Sequence, residues 1–384
     1  MTKRVAILRE FLLPISETFI KEQMLAMTRW QPTLIGRQKI SKSLPLDGVR
    51  YKTYGAKKTT KFEKQKIKIK RALKLLSHAL RNQLLNIDPA LIHIHFATNA
   101  VDFWPCIKTL NKPVAITLHG YDITTYKSFW RKHLNPRFRY YPERLLKIAH
   151  DPKAHFIAVS NAIKQRAIEF GLPSNKITVR YIGIDTNKFS KGKTPIQNRG
   201  KQILFVGRLA EKKGVLYLLQ AFNKVIKHVP NARLIVAGEG EQMTKAKTYV
   251  RQNSLPVRFL GAISHGQVKQ LLNECSVFCL PSVTAQNGDR EGFGIVLLEA
   301  QASGVPVVTS AYGGAKEGLI QGQTGFAFKE KDFSTLSQYL IQLLTDDQLL
   351  INMSTQATIF AQETFNIKNC TAKLEDYYDE LCLK

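Results

Sequence analysis

The stretch Pro281-Ser282-Val283-Thr284-Ala285-Gln286-Asn287-Gly288-Asp289-Arg290-Glu291-Gly292-Phe293-Gly294-Ile295-Val296-Leu297-Leu298-Glu299-Ala300 follows a short apolar run, Val277–Leu280, and opens into an apolar helical pattern. A buried strand, a glycine-rich turn and a helix in that order form the repeating unit of a doubly wound parallel sheet. Gly292 and Gly294 flank Phe293 at the helix entrance, where free backbone N–H groups and the positive end of the helix dipole favour phosphate. Glycine there lets a ligand approach the backbone closely. Glu299 lies about two turns along the helix, placed to accept hydrogen bonds from ribose hydroxyls. Glu291, before the helix, is placed to bind sugar hydroxyls. The competing reading, a glycine cap with two ordinary surface glutamates, stays open on this stretch alone.

A second stretch narrows the choice. Phe205-Val206-Gly207-Arg208-Leu209-Ala210-Glu211-Lys212-Lys213-Gly214 also leaves a strand and enters a helix. Arg208 and Lys213 put two cations in a loop at a strand's carboxyl end. They suit the two phosphates of a nucleotide-sugar and the departing diphosphate. Basic residues are not plentiful here: residues 201–384 hold 19 Lys and Arg against 17 Asp and Glu, a balance of +2.

Outward from these turns the same alternation fills the chain. In the second half strands are expected at 203–206, 233–237, 258–260, 277–280, 305–309 and 326–328, and helices at 214–227, 241–251, 265–274, 294–303 and 333–345. In the first half strands are expected at 5–8, 33–36, 91–96, 114–118, 156–159 and 177–182. Helices there are expected at 17–29, 98–110 and 161–170, the last with Ser160 as N-cap and Gly171 as stop. Short buried strands alternating with helices imply α/β domains with parallel sheets. The polar, breaker-rich run 190–200 reads as a linker. The expected layout is therefore a first domain over 1–189, a linker over 190–200, a second domain over 201–364 and an amphipathic tail helix over 365–384.

The remaining charge lies in the first half. The chain has 384 residues and a formal charge of +28; residues 1–200 hold 38 basic and 12 acidic residues, a balance of +26. Such asymmetry points to an anionic partner. The densest part is 57–81; Ile69, Leu73, Leu76 and Leu80 within it and Leu84 just beyond recur at helical spacing, and the segment reads as a basic amphipathic helix. A solvated surface helix, an anionic lipid surface and nucleic acid compete as explanations. No nucleic-acid-binding signature accompanies the charge, so the membrane surface is preferred. Trp104 and Trp130, beside Phe103 and Phe129, are read as core aromatics rather than interface anchors. No apolar run approaches the ~20 residues of a membrane span, and no secretory signal is read at the start, so a cytoplasmic protein is expected. The five Cys are odd in number and irregularly spaced, which argues against a disulfide scaffold or a zinc site.

Taken in order, Gly207-Arg208-Leu209 with Lys213-Gly214, Gly238-Glu239-Gly240, Phe259-Leu260-Gly261, Glu291 with Glu299, and Gly304-Val305-Pro306-Val307-Val308 resemble the retaining glycosyltransferases of family 4. In the first half, Pro14–Ile20, His93–Ala100 and Leu118-His119-Gly120-Tyr121-Asp122 resemble their exopolysaccharide and colanic-acid subgroup. The resemblance implies the GT-B fold, two doubly wound Rossmann-like domains facing a central cleft, with the crossover to the second domain at Gly183-Ile184-Asp185.

It also implies roles. Arg208 and Lys213 bind the donor diphosphate, with Gly207 in the same turn. Glu299 binds the ribose, and Gly261, within 259–262, lies by the base. Glu291 and the backbone amides of Gly292, Phe293 and Gly294 hold the transferred sugar. His119 faces the anomeric centre. Many relatives have a glycine-rich loop after the first strand; here that loop, 11–18, has no Gly, so Ser16, Glu17 and Thr18 are assigned to the acceptor side with His93, His95 and Asp122. His93 and His95 share one strand face and could in principle ligate a metal, but no metal and no cofactor is expected. The implied reaction moves a hexose from a nucleotide-sugar, with UDP favoured, to a lipid-linked glycan at the inner face of a membrane, with retention. A nucleotide-sugar epimerase of the same fold and a non-catalytic basic binding module are the alternatives.

Overall fold

The computed structural model describes residues 3–40, 43–55 and 75–383, apart from the side chains of residues 75–77. The chain forms two compact units. The first comprises residues up to Val159, Ile163–Gly183 and the tail from Ile367; the second comprises Ser160–Ala162 and Ile184–Asn366.

The first unit is built on seven parallel strands: β1 (Lys3–Leu8), β2 (Trp30–Gly36), β3 (Tyr51–Thr53), β4 (Leu91–His95), β5 (Val114–Leu118), β6 (Ala154–Ala158) and β7 (Ile177–Val179). Their spatial order is β3-β2-β1-β4-β5-β6-β7. β4 and β5 are buried along their whole length. β5 accordingly reads as a nearly continuous apolar run, whereas β4, Leu-Ile-His-Ile-His, carries two buried histidines on one face. The order reverses between β1 and β4, which makes the carboxyl ends of those strands the expected ligand side.

The second unit has six parallel strands: β8 (Gln202–Val206), β9 (Arg233–Ala237), β10 (Val257–Gly261), β11 (Val277–Leu280), β12 (Val307–Ser310) and β13 (Gly325–Phe328). Their order is β10-β9-β8-β11-β12-β13, so the reversal falls between β8 and β11. The turns Gly207–Gly214 and Pro281–Gly294 are the connections leaving those two strands. Both sheets are therefore doubly wound, as the sequence pattern implied.

Several boundaries differ from the sequence reading. The division falls at Gly183/Ile184, and residues 190–200, expected as the linker, group with the second unit. Ile196 is buried there and the Arg199 guanidinium donates to the carbonyls of Thr194 and Leu272. The tail helix Ile367–Leu383 groups with the first unit rather than standing apart. Its Leu374, Tyr377, Tyr378 and Leu381 join the first unit's core. Its buried Glu375 accepts hydrogen bonds from the backbone N–H groups of Thr28, Arg29 and Trp30 at 3.0, 2.9 and 2.9 Å, a clasp at the start of β2.

Of the expected basic amphipathic helix, residues 57–74 lie outside the described residues. The helix Leu75–Ile87 buries Leu80 and Leu84 in its own unit. Elements not foreseen include β3, the helix Asp347–Phe365, and the helices Tyr121–Thr124, Lys127–Arg131, Pro136–Arg139 and Tyr141–Ala149 that follow β5. No helix among the described residues is long and apolar enough to cross a membrane.

Candidate active site

In the second unit the two turns at the sheet reversal touch. Gly214, at φ +68°, presses on the Pro281 loop; a Cβ there would fall 1.9 Å from the Pro281 carbonyl oxygen, so only glycine fits. Val283 N–H donates to the Lys212 carbonyl at 2.8 Å. The contact brings Lys213 Nζ to 2.5 Å from Glu291 Oε2, and Lys212 Nζ to 3.1 Å from Asp289 Oδ1. Burial pushes the Glu291 carboxyl up, but Lys213, Lys212 and the Gly292 N–H outweigh it and hold it below its ordinary value. Arg208, in the first of these turns, is exposed, and its guanidinium makes no hydrogen bond or ion pair among the described residues. Gly294, at φ +84°, caps the helix Ile295–Ala302.

Glu299 on that helix is buried, and its Oε1 lies 2.8 Å from His265 Nε2. Lys188 Nζ lies 3.0 Å from His265 Nδ1. An ammonium only donates, so Nδ1 accepts and Nε2 carries the hydrogen that goes to Glu299. Lys188 and His265 were not among the expected site residues. His265 is visible in the sequence only as the first residue of a helix capped by Ser264. Gly261 ends β10, its carbonyl accepting from Gly238 N–H at 2.7 Å. Phe293, expected at the donor, buries its ring against Phe365, with centroids 5.4 Å apart. Its ring is therefore part of the packing rather than a ligand contact. Ser160 Oγ donates to the Gly292 carbonyl, and Glu317 accepts from the N–H groups of Asn161 and Ala162 at the start of the following helix.

In the first unit the polar candidates gather at the carboxyl ends of β1, β4 and β5. His119 Nε2 lies 3.0 Å from His95 Nδ1. The rings of Phe96 and Phe19 pack on His119 with centroids at 4.3 and 5.1 Å. Phe96 takes φ +69°, a conformation costing a non-glycine residue about 1–3 kcal/mol. Burial drives His93 down to about 3 and holds His95 and His119 well below the usual imidazole value, so all three stay neutral near pH 7.

Three residues assigned to the acceptor side turn inward instead. The carboxylate of Glu17 is buried against the Arg9 guanidinium, with Arg9 Nε at 2.8 Å. Both His93 nitrogens are engaged at 2.6 Å, one by Tyr378 Oη and one by Thr117 Oγ1. Asp122 is fully buried and accepts from the N–H groups of Ala97, His119 and Gly120. It therefore fixes the backbone that carries His119. Each satisfies a buried polar group, which a chain cannot leave unpaired. Ser16 is exposed and Thr18 half-buried. No cluster of three or more His, Cys, Asp or Glu suited to a metal occurs among the described residues.

A family described as glycosyl transferases group 1 matches residues 186–360, and one described as Glycosyltransferase Family 4 matches residues 51–188. This chain is a glycosyltransferase of the GT-B fold. It is 27% identical over 282 residues to the amylovoran biosynthesis glycosyltransferase AmsK of Erwinia amylovora, covering 73% of this chain and 67% of that one. It is 29% identical over 239 residues to the putative colanic acid biosynthesis glycosyltransferase WcaL of Escherichia coli, covering 61% and 56%. The match therefore spans little more than half of the second relative's length. Among solved structures, Anabaena HepE in complex with UDP and glucose matches with a TM-score of 0.80 at 18% identity, covering 98% of this chain and 100% of HepE. Sucrose-phosphate synthase from Thermosynechococcus elongatus matches with a TM-score of 0.78 at 17% identity, covering 99% of each chain. At such identities the likeness concerns the fold.

Proposed function

We propose that this glycosyltransferase moves a hexose from a UDP-sugar to a lipid-linked glycan, with retention at the anomeric carbon, during the synthesis of an exopolysaccharide, capsule or lipopolysaccharide. The observation that carries the reading is the meeting of Lys213 and Glu291 at the reversal of the second sheet. Exposed Arg208 and the Gly294 helix start belong to the same pair of turns. The names of the relatives point to polysaccharide assembly: amylovoran, colanic acid and capsular polysaccharide. UDP rather than GDP is favoured by the HepE structures, which hold UDP, UDP with glucose, or UDP-glucose.

In this reading the second unit holds the donor. Arg208, Lys213 and the helix-start amides stabilise the charge that develops on the diphosphate as the bond from C1 to the leaving oxygen breaks. Glu291 grips the hexose hydroxyls and Glu299 the ribose. The acceptor hydroxyl attacks C1 on the face the diphosphate leaves, and its proton passes to a departing phosphate oxygen. The reading assigns neutral His119 the role of a hydrogen-bonding group in the transfer. The cations and the helix end carry the electrostatic work, so the scheme uses no metal and no cofactor. The basic first unit serves the acceptor and an anionic membrane surface, which places the enzyme in the cytoplasm at the inner membrane face, without nucleic acid as a partner.

The test is a transfer assay with UDP- and GDP-hexoses, with and without a detergent-solubilised lipid-linked glycan, and the product linkage read by NMR. The reading expects UDP release that depends on acceptor, and a retained anomer. Donor consumed without acceptor, or an inverted product, would overturn it.

A further inference from the structure

The excursion after β5 is not used by the reaction described above. Between Asp122 and Glu143 the chain has no acidic residue, yet it carries Lys127, Arg131, Lys132, Arg137 and Arg139. Six aromatic residues are interleaved with these cations over Tyr126–Tyr141. The short helices Lys127–Arg131, Pro136–Arg139 and Tyr141–Ala149 close around Trp130, which is fully buried. Tyr121, Phe129, Phe138 and Tyr141 pack against its ring, with centroids 4.8–6.5 Å away. A rigid hub of this kind holds the connecting turns in place.

What those turns present is unusual for a soluble surface. Leu134, between two of the helices, is 88% exposed, and Phe129 and Tyr140 are 41% and 51% exposed. Lys132 and Arg139 are exposed beside them, and the Arg144 guanidinium lies over the Tyr140 ring at 6.0 Å. Arg131 pairs with Glu143, and Arg137 with Glu10 and Asp102, while Lys132 and Arg139 make no ion pair among the described residues. Apolar and aromatic side chains standing out beside Lys132 and Arg139 match the lipid–water interface, where rings sit at headgroup level and basic residues meet anionic lipid. A bare aliphatic tip such as Leu134 has no use in stacking on a base or a sugar, but it gains from entering acyl chains.

We propose that this excursion is a membrane-docking surface for an anionic lipid bilayer, with Phe129, Leu134 and Tyr140 entering the interface and Lys132 and Arg139 contacting headgroups. The proposal rests on the membrane reading given above and assigns it to particular residues.

The test is flotation of the full chain with vesicles of phosphatidylcholine, with and without phosphatidylglycerol, for the wild type, F129S/L134S and K132E/R139E. Melting followed by circular dichroism checks that each variant folds. Wild type is expected to float with the anionic vesicles only, and each variant to lose roughly tenfold or more in partitioning. A folded Phe129→Trp variant, read against the wild-type tryptophan signal, is expected to shift its emission to the blue on anionic vesicles. Wild-type flotation retained in both folded variants would overturn the assignment while leaving the membrane reading intact. So would variants that lose only the binding of poly(U), added as a competing polyanion. A wild type that ignores anionic vesicles would overturn the membrane reading itself.

Discussion

Lys213 Nζ lies 2.5 Å from Glu291 Oε2, joining two turns 78 residues apart in the sequence. Both side chains are mostly buried, at 16% and 12% exposure. The pair sits where the second sheet reverses its strand order, so one contact ties the fold to the proposed chemistry. Removing one partner leaves the other's charge poorly compensated.

Lys213→Met should therefore destabilise the protein in a pH-dependent way. In the wild type, folding holds the Glu291 carboxyl below its ordinary value of 4.5. That contribution is complete above the unfolded value and is lost only as pH falls through the lowered folded value. In the variant only Lys212 and the Gly292 N–H still counter burial, so the folded value rises and the ionised carboxylate supports folding less at neutral pH, a difference that disappears once it is protonated. The stability gap between the two proteins should be about 2 kcal/mol near neutrality, given the residual exposure. It should narrow as pH approaches 4.5. Thermal melts across that range check this; a gap independent of pH would contradict it.

His265 orients Glu299 from one side while Lys188 fixes its tautomer. His265→Phe keeps a ring beside Phe189, whose centroid lies 5.0 Å away, but removes the hydrogen bond to the carboxylate. Losing a hydrogen bond to a charged group should weaken UDP binding roughly tenfold. It should also shrink the preference for UDP over 2′-deoxy-UDP. Calorimetric titrations with both nucleotides check this, and an unchanged preference would show that Glu299 needs no support from His265.

The buried histidines of the first unit predict an acid-sensitive fold. His93 is held neutral down to about 3, against an ordinary value of 6.5. Between these values the unfolded chain binds a proton that the folded chain refuses, so stability falls as pH drops below 6.5. His95 and His119 add to this slope in the same direction. A folded His93→Asn variant should show a flatter loss of melting temperature between neutral and mildly acid pH. Parallel curves for variant and wild type would contradict the assignment.

Much of the second unit was legible because its strands are buried on both faces. Runs such as Arg233–Ala237 and Val277–Leu280 admit little but a parallel strand. The helix Asp347–Phe365 escaped notice because it begins two residues after the preceding helix ends at Thr345, with Asp346 capping it. The first three helices of the excursion after β5 escaped because, at four or five residues, they are too short to display a helical period. At the site, the two glycine turns were legible as strand-to-helix junctions. The partners of individual side chains were not legible. Glu17 and Asp122 looked available as polar residues beyond strand ends, and only the folded chain shows Arg9 and three backbone N–H groups holding them. The Lys188–His265–Glu299 chain joins three separate segments, and no local pattern encodes it.

Titration of the full chain with UDP by calorimetry, for the wild type and for Arg208→Ala and Lys213→Ala, tests the central claim most directly. Saturable binding by the wild type is predicted, weakened roughly tenfold or more in each variant, as expected when a charge-assisted contact to phosphate is lost. Equal affinity in all three proteins, or no saturable binding in any, would contradict the account.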